Sequence, residues 1–234
     1  MKPKKPLVIK DKEGKIVGSE EEQVKLITEF FRELFSSDEI PPTINPAEMN
    51  PPFSKEEVKK ATSKLKNNKS CGKDGINAEL LKYAPEEAHK QIAMMLNKIA
   101  RTGEYPQEIK SGILTPLAKP PKKDAKINVR PIVLLSVLRK ILTITLIERT
   151  WNRMKEAIPK SQAAYQEGRS TTEQVFALKT MIEKAISTND YNIFIILLDM
   201  SKAFDSVSRN KLLEYLQEIL TPCEMHIMHI LIIT

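Results

Sequence analysis

The sequence predicts an α+β fold, and three observations carry that prediction. Several segments place apolar residues at helical spacing behind serine or threonine caps. Shorter stretches alternate, or run apolar and β-branched, as strands do. The 234 residues are 41% hydrophobic and 29% charged, which suits a packed globular chain and argues against wholesale disorder. Two cysteines, Cys71 and Cys223, lie far apart in no metal-like pair, which excludes a disulfide scaffold or a cysteine zinc site. The start, Met1-Lys-Pro-Lys-Lys-Pro-Leu7, lacks the apolar stretch of a signal peptide, and no uncharged apolar run is long enough to cross a bilayer. The expectation is an intracellular protein, nuclear or cytoplasmic, neither secreted nor partnered with a membrane.

Each element follows from local chemistry. Residues 7–17 read as a small hairpin around Asp11-Lys-Glu-Gly14. Ser19 caps a helix, Glu22 completes its capping box, and Val24, Ile27, Phe30, Phe31 and Leu34 share its face. Residues 40–53 contain Pro41, Pro42, Pro46, Pro51 and Pro52, which no regular element tolerates, so this is a linker. Ser54 and Glu57 form a second capping box, opening a short basic helix. Helices follow over about 78–83 and 85–101, the second closed by Gly103. Residues 111–117 read as a strand leading into a basic loop; 136–157 and 171–187 are helical by period. The run Ile193-Phe-Ile-Ile-Leu-Leu198, ending on Asp199, predicts a strand buried on both faces. Ser208 caps a final helix that Pro222 interrupts, and the apolar end Ile230-Leu-Ile-Ile-Thr234 reads as a cut edge.

The +7 net charge, from 37 basic and 30 acidic side chains, is unevenly placed. Residues 19–39 are strongly acidic, whereas 110–130 carry Lys110, Lys119, Lys122, Lys123, Lys126 and Arg130 against Asp124. Two readings fit the basic stretch: a solvated loop, or a surface stabilised by a polyanion. Asp199 likewise fits a surface strand-end acid or a divalent-metal ligand at the carboxyl end of a strand, where sheets place ligands. Gly72 and Gly75 around Asp74 suggest a tight turn, either a plain one or one whose amides approach phosphate. Ser170 and Thr171 serve as helix caps, while Arg169 is left needing a partner. Cys223, His226 and His229 fall near one helix face, but apolar surroundings and a missing fourth ligand favour core packing over metal.

The motif Asp199-x-x-x-x-Phe204-Asp205 behind an apolar strand resembles the first catalytic motif of reverse transcriptases, most closely those of non-LTR (LINE-type) retrotransposons. Three further stretches resemble the family's motifs in its order: Lys69-Ser-Cys-Gly-Lys-Asp-Gly75; Lys119 with Arg130-Pro-Ile132; and Gly168-Arg169-Ser-Thr171. The resemblance covers about residues 54–220. It implies a run-in over 1–53, a helix-rich fingers region over 54–190, and over 191–234 the start of a right-hand polymerase palm. It also implies RNA-templated DNA synthesis with Mg²⁺ or Mn²⁺, an RNA template, a DNA primer and deoxynucleotide triphosphates. By resemblance Asp199 is the catalytic acid and metal ligand, helped by the carbonyl of Met200. Lys119 and Arg130 hold the triphosphate, and Phe204 is the steric gate beneath the sugar. Lys64, Lys66, Lys69, Lys73 and Arg169 follow template or primer phosphates.

The sequence departs from the family at Cys71, where proline is usual, and at Val129, where an aromatic is usual. A larger departure is that no Asp-Asp pair occurs anywhere, although the family carries an Ala-Asp-Asp hairpin in its palm. One carboxylate does not hold two divalent ions in register, so the chain alone is expected to be inactive. The alternative expectation is a non-catalytic nucleic-acid-binding fragment or a pseudogene product.

Overall fold

The computed structural model describes residues 9–10, 15–35, 44–45, 50–104, 106–118, 127, 129–187, 193–200, 203–204 and 206–233. In chain order the elements are α1 (Glu20–Phe35), α2 (Lys55–Ser63), α3 (Ala78–Lys82), α4 (Glu86–Thr102), α5 (Gln107–Lys110), β1 (Ile113–Ala118), β2 (Val129–Leu134), α6 (Val137–Glu156), α7 (Thr171–Ser187), α8 (Arg209–Gln217) and α9 (Pro222–Ile233). They form two compact units, one of Met1–Arg149 with Val207–Thr234, the other of Thr150–Ser206. Helices with a two-stranded sheet agree with the expected α+β class.

In the larger unit the caps behave as the sequence predicts. Ser54 Oγ accepts the Glu57 amide while Glu57 Oε2 accepts the Ser54 amide at 2.9 Å, closing the capping box of α2. Gly103 ends α4 at φ 69°, a left-handed conformation open to glycine, and its amide donates to the Ile99 carbonyl. Ser208 caps α8 through the Lys211 amide. Pro222 differs from expectation: it opens α9, where a missing amide hydrogen costs nothing. Thr221 precedes it, and its amide and hydroxyl both donate to Glu224 Oε2 at 2.9 Å.

These helices close on one apolar core, with Val58, Ala61 and Leu65 from the α2 region, Ile92, Leu96 and Ile99 from α4, Ile141, Leu142 and Leu146 from α6, and Ile227 from α9. Each of the valine, leucine and isoleucine side chains among them contributes about 1.5–3 kcal/mol when fully buried. Leu213, Leu216, Leu220 and Met225 form a second cluster between α8 and α9. Arg149 ties the end of the proline-rich stretch to this core. It forks onto Glu57 with two 2.6 Å bonds, donates to the carbonyls of Pro51 and Pro52, and lies 4.5 Å over the Phe53 ring.

β1 and β2 are antiparallel, with Ile113 opposite Leu134 and Ala118 opposite Val129. β2 is an element that sequence periodicity misses, because Pro131 argues against a strand. Pro116 faces Pro131 across the pair. Neither can donate, so they occupy a non-hydrogen-bonded position, and a two-stranded ribbon tolerates them because each strand has a free edge. The expected N-terminal hairpin is present as a Lys10–Ile16 bridge, and Ile9 bridges to Ile127.

The smaller unit contains the end of α6, the turns leading to α7, α7 itself, and residues 193–200. The last segment corrects the sequence expectation: it is neither a strand nor buried. Phe194, Leu197 and Leu198 are 85%, 90% and 91% exposed. Apolar, β-branched composition fits a residue to a sheet but does not supply a neighbour. Among the described residues no strand lies beside this run to accept its amides.

Candidate functional site

Asp199 follows that exposed run and is itself exposed, as is Met200. Phe204, the expected sugar gate, is 76% exposed and meets Tyr165 edge-on with ring centroids 5.9 Å apart. Tyr165 has φ 61°, an uncommon conformation for an aromatic residue, and sequence reasoning gave it no role. Asp205 lies outside the described residues. Arg169 has partners after all: its Nε donates to Glu173 Oε2 at 2.9 Å and Nη1 to the Lys160 carbonyl, bracing the start of α7. All these groups belong to the smaller unit.

The other expected phosphate-binding residues belong to the larger unit. Arg130 is exposed on β2 opposite Leu117. Lys119, Lys122 and Lys123 lie outside the described residues. Lys64 pairs with Glu148, which also accepts Lys60 at 3.0 Å. Burial alone raises the Glu148 pKa, but the two ammonium groups outweigh it and hold the carboxyl below its ordinary value. Lys66, Lys69 and Lys73 are exposed and meet no carboxylate among the described residues.

The glycine-rich turn is a packing device. Its Gly75 amide donates to the Gly72 carbonyl at 3.2 Å, and Asp74 Oδ1 accepts the Ile76 amide. Ser136 Oγ donates to Asp74 Oδ2 at 2.6 Å and accepts the Leu138 amide at 3.2 Å. Asp74 thus fastens the turn to the start of α6. Gly72 is required by contact: a Cβ there would lie 2.5 Å from the Ser136 amide nitrogen and 2.7 Å from the Leu135 carbonyl carbon. Sequence reasoning located this turn but missed Ser136, which is 62 positions from Asp74.

Cys223, His226 and His229 form no metal-binding group among the described residues, nor does Asp199. His226 is a core residue packed against Gly103. Its burial pushes the imidazole pKa below the ordinary value, opposed by a hydrogen bond that the ring donates to the Ile44 backbone and reinforced by His229.

Residues 120–233 match the model of the reverse transcriptase (RNA-dependent DNA polymerase) family. Over that segment, just under half of the chain, the protein is similar to reverse transcriptases. Among curated relatives, it is 29% identical over 174 residues to the RNA-directed DNA polymerase from mobile element jockey of Drosophila funebris, covering 73% of this chain and 19% of the relative. It is 30% identical over 171 residues to the probable RNA-directed DNA polymerase from transposon BS of Drosophila melanogaster, covering 72% and 19%. A Xenopus laevis relative, the transposon TX1 uncharacterized 149 kDa protein, is 26% identical over 80% of this chain and 15% of its own length. The chain therefore spans about one fifth of the curated reverse transcriptase relatives it matches. No helix among the described residues is long and apolar enough to cross a membrane.

Proposed function

We propose that the chain is the template- and nucleotide-gripping part of an RNA-directed DNA polymerase, contributing Asp199 to its catalytic centre and not extending primers by itself. The observation that carries this reading is the Asp199–Phe204 motif behind its apolar run, inside the segment that matches the family. Residues 54–190 then serve as fingers and 191–234 as the first part of the palm. Lys119 and Arg130 hold the triphosphate, Lys as a compact charge and Arg as a fork. Phe204 occupies the space a 2′-hydroxyl would need.

Reverse transcriptases generally use divalent metal ions. Asp199 and the Met200 carbonyl are suitable oxygen donors, but the described residues hold no group of three or more His, Cys, Asp or Glu side chains that could bind a metal ion. They do not make a two-ion site, so no chemical step is assigned to this chain alone. Primer extension on poly(rA)/oligo(dT) with Mg²⁺ and dTTP tests the reading. The expected result is no incorporation by the 234-residue chain; incorporation that Asp199→Ala abolishes would overturn it.

A purely non-catalytic nucleic-acid-binding role is favoured by one observation, that the exposed Lys66, Lys69 and Lys73 meet no carboxylate among the described residues. It predicts salt-dependent binding that survives Asp199→Ala and weakens when Lys119, Lys122 and Lys123 are neutralised.

A further inference from the structure

A cavity of about 350 Å³ opens between the end of α2, the loop after it and the first turns of α6. Its size falls in the lower part of the range for small-ligand pockets, roughly 300–1,000 Å³. Leu65, Leu135, Val137 and Ile144 give it an aliphatic lining. Lys66, Lys69 and Lys140 stand around it without a carboxylate partner among the described residues, and no acidic side chain lines it. Lys64 also lines it, but is already engaged by Glu148.

We propose that this cavity takes one unstacked nucleotide of a single-stranded nucleic acid, with the base on the aliphatic lining and its flanking phosphates on Lys66, Lys69 and Lys140. The proposal rests on the nucleic-acid-binding reading above and adds a base-receiving site beside the phosphate-binding lysines. An apolar interior ringed by cations matches a flat, weakly polar base carrying anions on either side. The same composition excludes an acidic peptide as a good occupant, since a peptide's amides would find few partners inside. A duplex is a poor ligand because its bases must first leave their stack.

The walls are set before any ligand arrives. Asp74 and Ser136 fix the turn to α6 next to Leu135 and Val137, and Lys82 Nζ donates to the Leu65 carbonyl at 3.1 Å. Such preorganisation lowers the entropy lost on binding. Polar readout inside is slight. Thr143 Oγ1 already donates to the Arg139 carbonyl at 2.9 Å, leaving that hydroxyl and Ser70 as the side-chain groups able to face a base edge. The site therefore accepts any base with little preference.

The test uses the full 234-residue chain and a fluorescein-labelled RNA 12-mer, read by anisotropy at low salt. It is compared with the same strand carrying abasic positions, which keeps every phosphate and removes the bases. The abasic strand is expected to bind about tenfold more weakly. Thr143→Phe, which fills the cavity, is expected to bring the intact strand down to the abasic value while leaving abasic binding unchanged. Retained abasic binding shows that the variant is folded. A 2-aminopurine in the intact strand is expected to brighten on binding as it leaves its stack. Equal affinity for intact and abasic strands would overturn the pocket while leaving nucleic-acid binding in place. A free nucleoside triphosphate binding as tightly as the strand would overturn the strand assignment. Failure of both strands to bind would remove the parent reading with it.

Discussion

Replacing Gly72 with alanine tests the assignment of the glycine-rich turn as a packing device. The added Cβ would meet three backbone atoms, the Ser136 nitrogen at 2.5 Å, the Leu135 carbonyl carbon at 2.7 Å and Ser136 Cα at 2.8 Å. Flexible side chains could swing away from such an atom, but the first turn of a helix anchored by Val137 and Ile141 in the core cannot. The turn must retreat instead. Overpacking of this kind costs about 1–3 kcal/mol. Retreat also stretches the 2.6 Å Ser136–Asp74 bond, and a hydrogen bond to a charged group contributes about 1.5–3 kcal/mol. A combined loss of about 3 kcal/mol corresponds to a drop in Tm of roughly 6–12 °C for a chain of this size. Circular dichroism melts of G72A beside wild type provide the assay. Gly18→Ala is the control, since nothing lies within 4 Å of its Cβ position, and should leave Tm unchanged. A fall of less than about 2 °C for G72A would show that the turn is not held against α6 in this way.

Other consequences can be measured on the same material. Arg149→Gln leaves Glu57 half-buried without its fork and frees the Pro51 and Pro52 carbonyls, so urea unfolding should show a loss of about 2–3 kcal/mol, discounted from a fully buried pair because Glu57 is partly exposed. Burial alone raises the Glu57 pKa, but the Arg149 bonds and charge and the Ser54 bonds together lower it; its contribution is therefore present above the ordinary carboxylate value of 4.5 and is lost as pH falls through the lower folded value. Melts between pH 6 and 3 should show this loss, shallower in R149Q. Because Lys64 is paired with Glu148 while Lys66 and Lys69 meet no carboxylate among the described residues, Lys66→Gln and Lys69→Gln should each reduce the salt slope of single-strand RNA binding by about 0.7, and Lys64→Gln by less. Equal slopes for all three variants would contradict the pairing.

Much of the larger unit is legible because its signals are local. Ser54 and Glu57 announce α2, Gly103 closes α4, and Ser208 opens α8, each through bonds spanning a few residues. The Thr221–Glu224 box was equally local, yet Pro222 between them reads first as a breaker and hides the cap. What escaped depends on distant partners. Nothing near Asp74 indicates that Ser136 will meet it, and nothing in the linker indicates that Arg149 will bind its carbonyls. The 193–198 run shows the other side of this limit: its composition states a preference for a sheet, whereas a strand also needs a neighbour. The family motifs marked the chemically interesting residues without revealing their surroundings, so Phe204's contact with Tyr165 and Arg169's engagement by Glu173 became visible only in three dimensions.

Titrating the chain with an RNA template–DNA primer hybrid at several salt concentrations tests the proposal that it grips nucleic acid through its basic surface and supplies Asp199 without completing the chemistry. Binding should weaken steeply and linearly in log[salt] and be unchanged by Asp199→Ala in the absence of divalent metal. Absence of binding at low salt, or binding indifferent to salt, would contradict it.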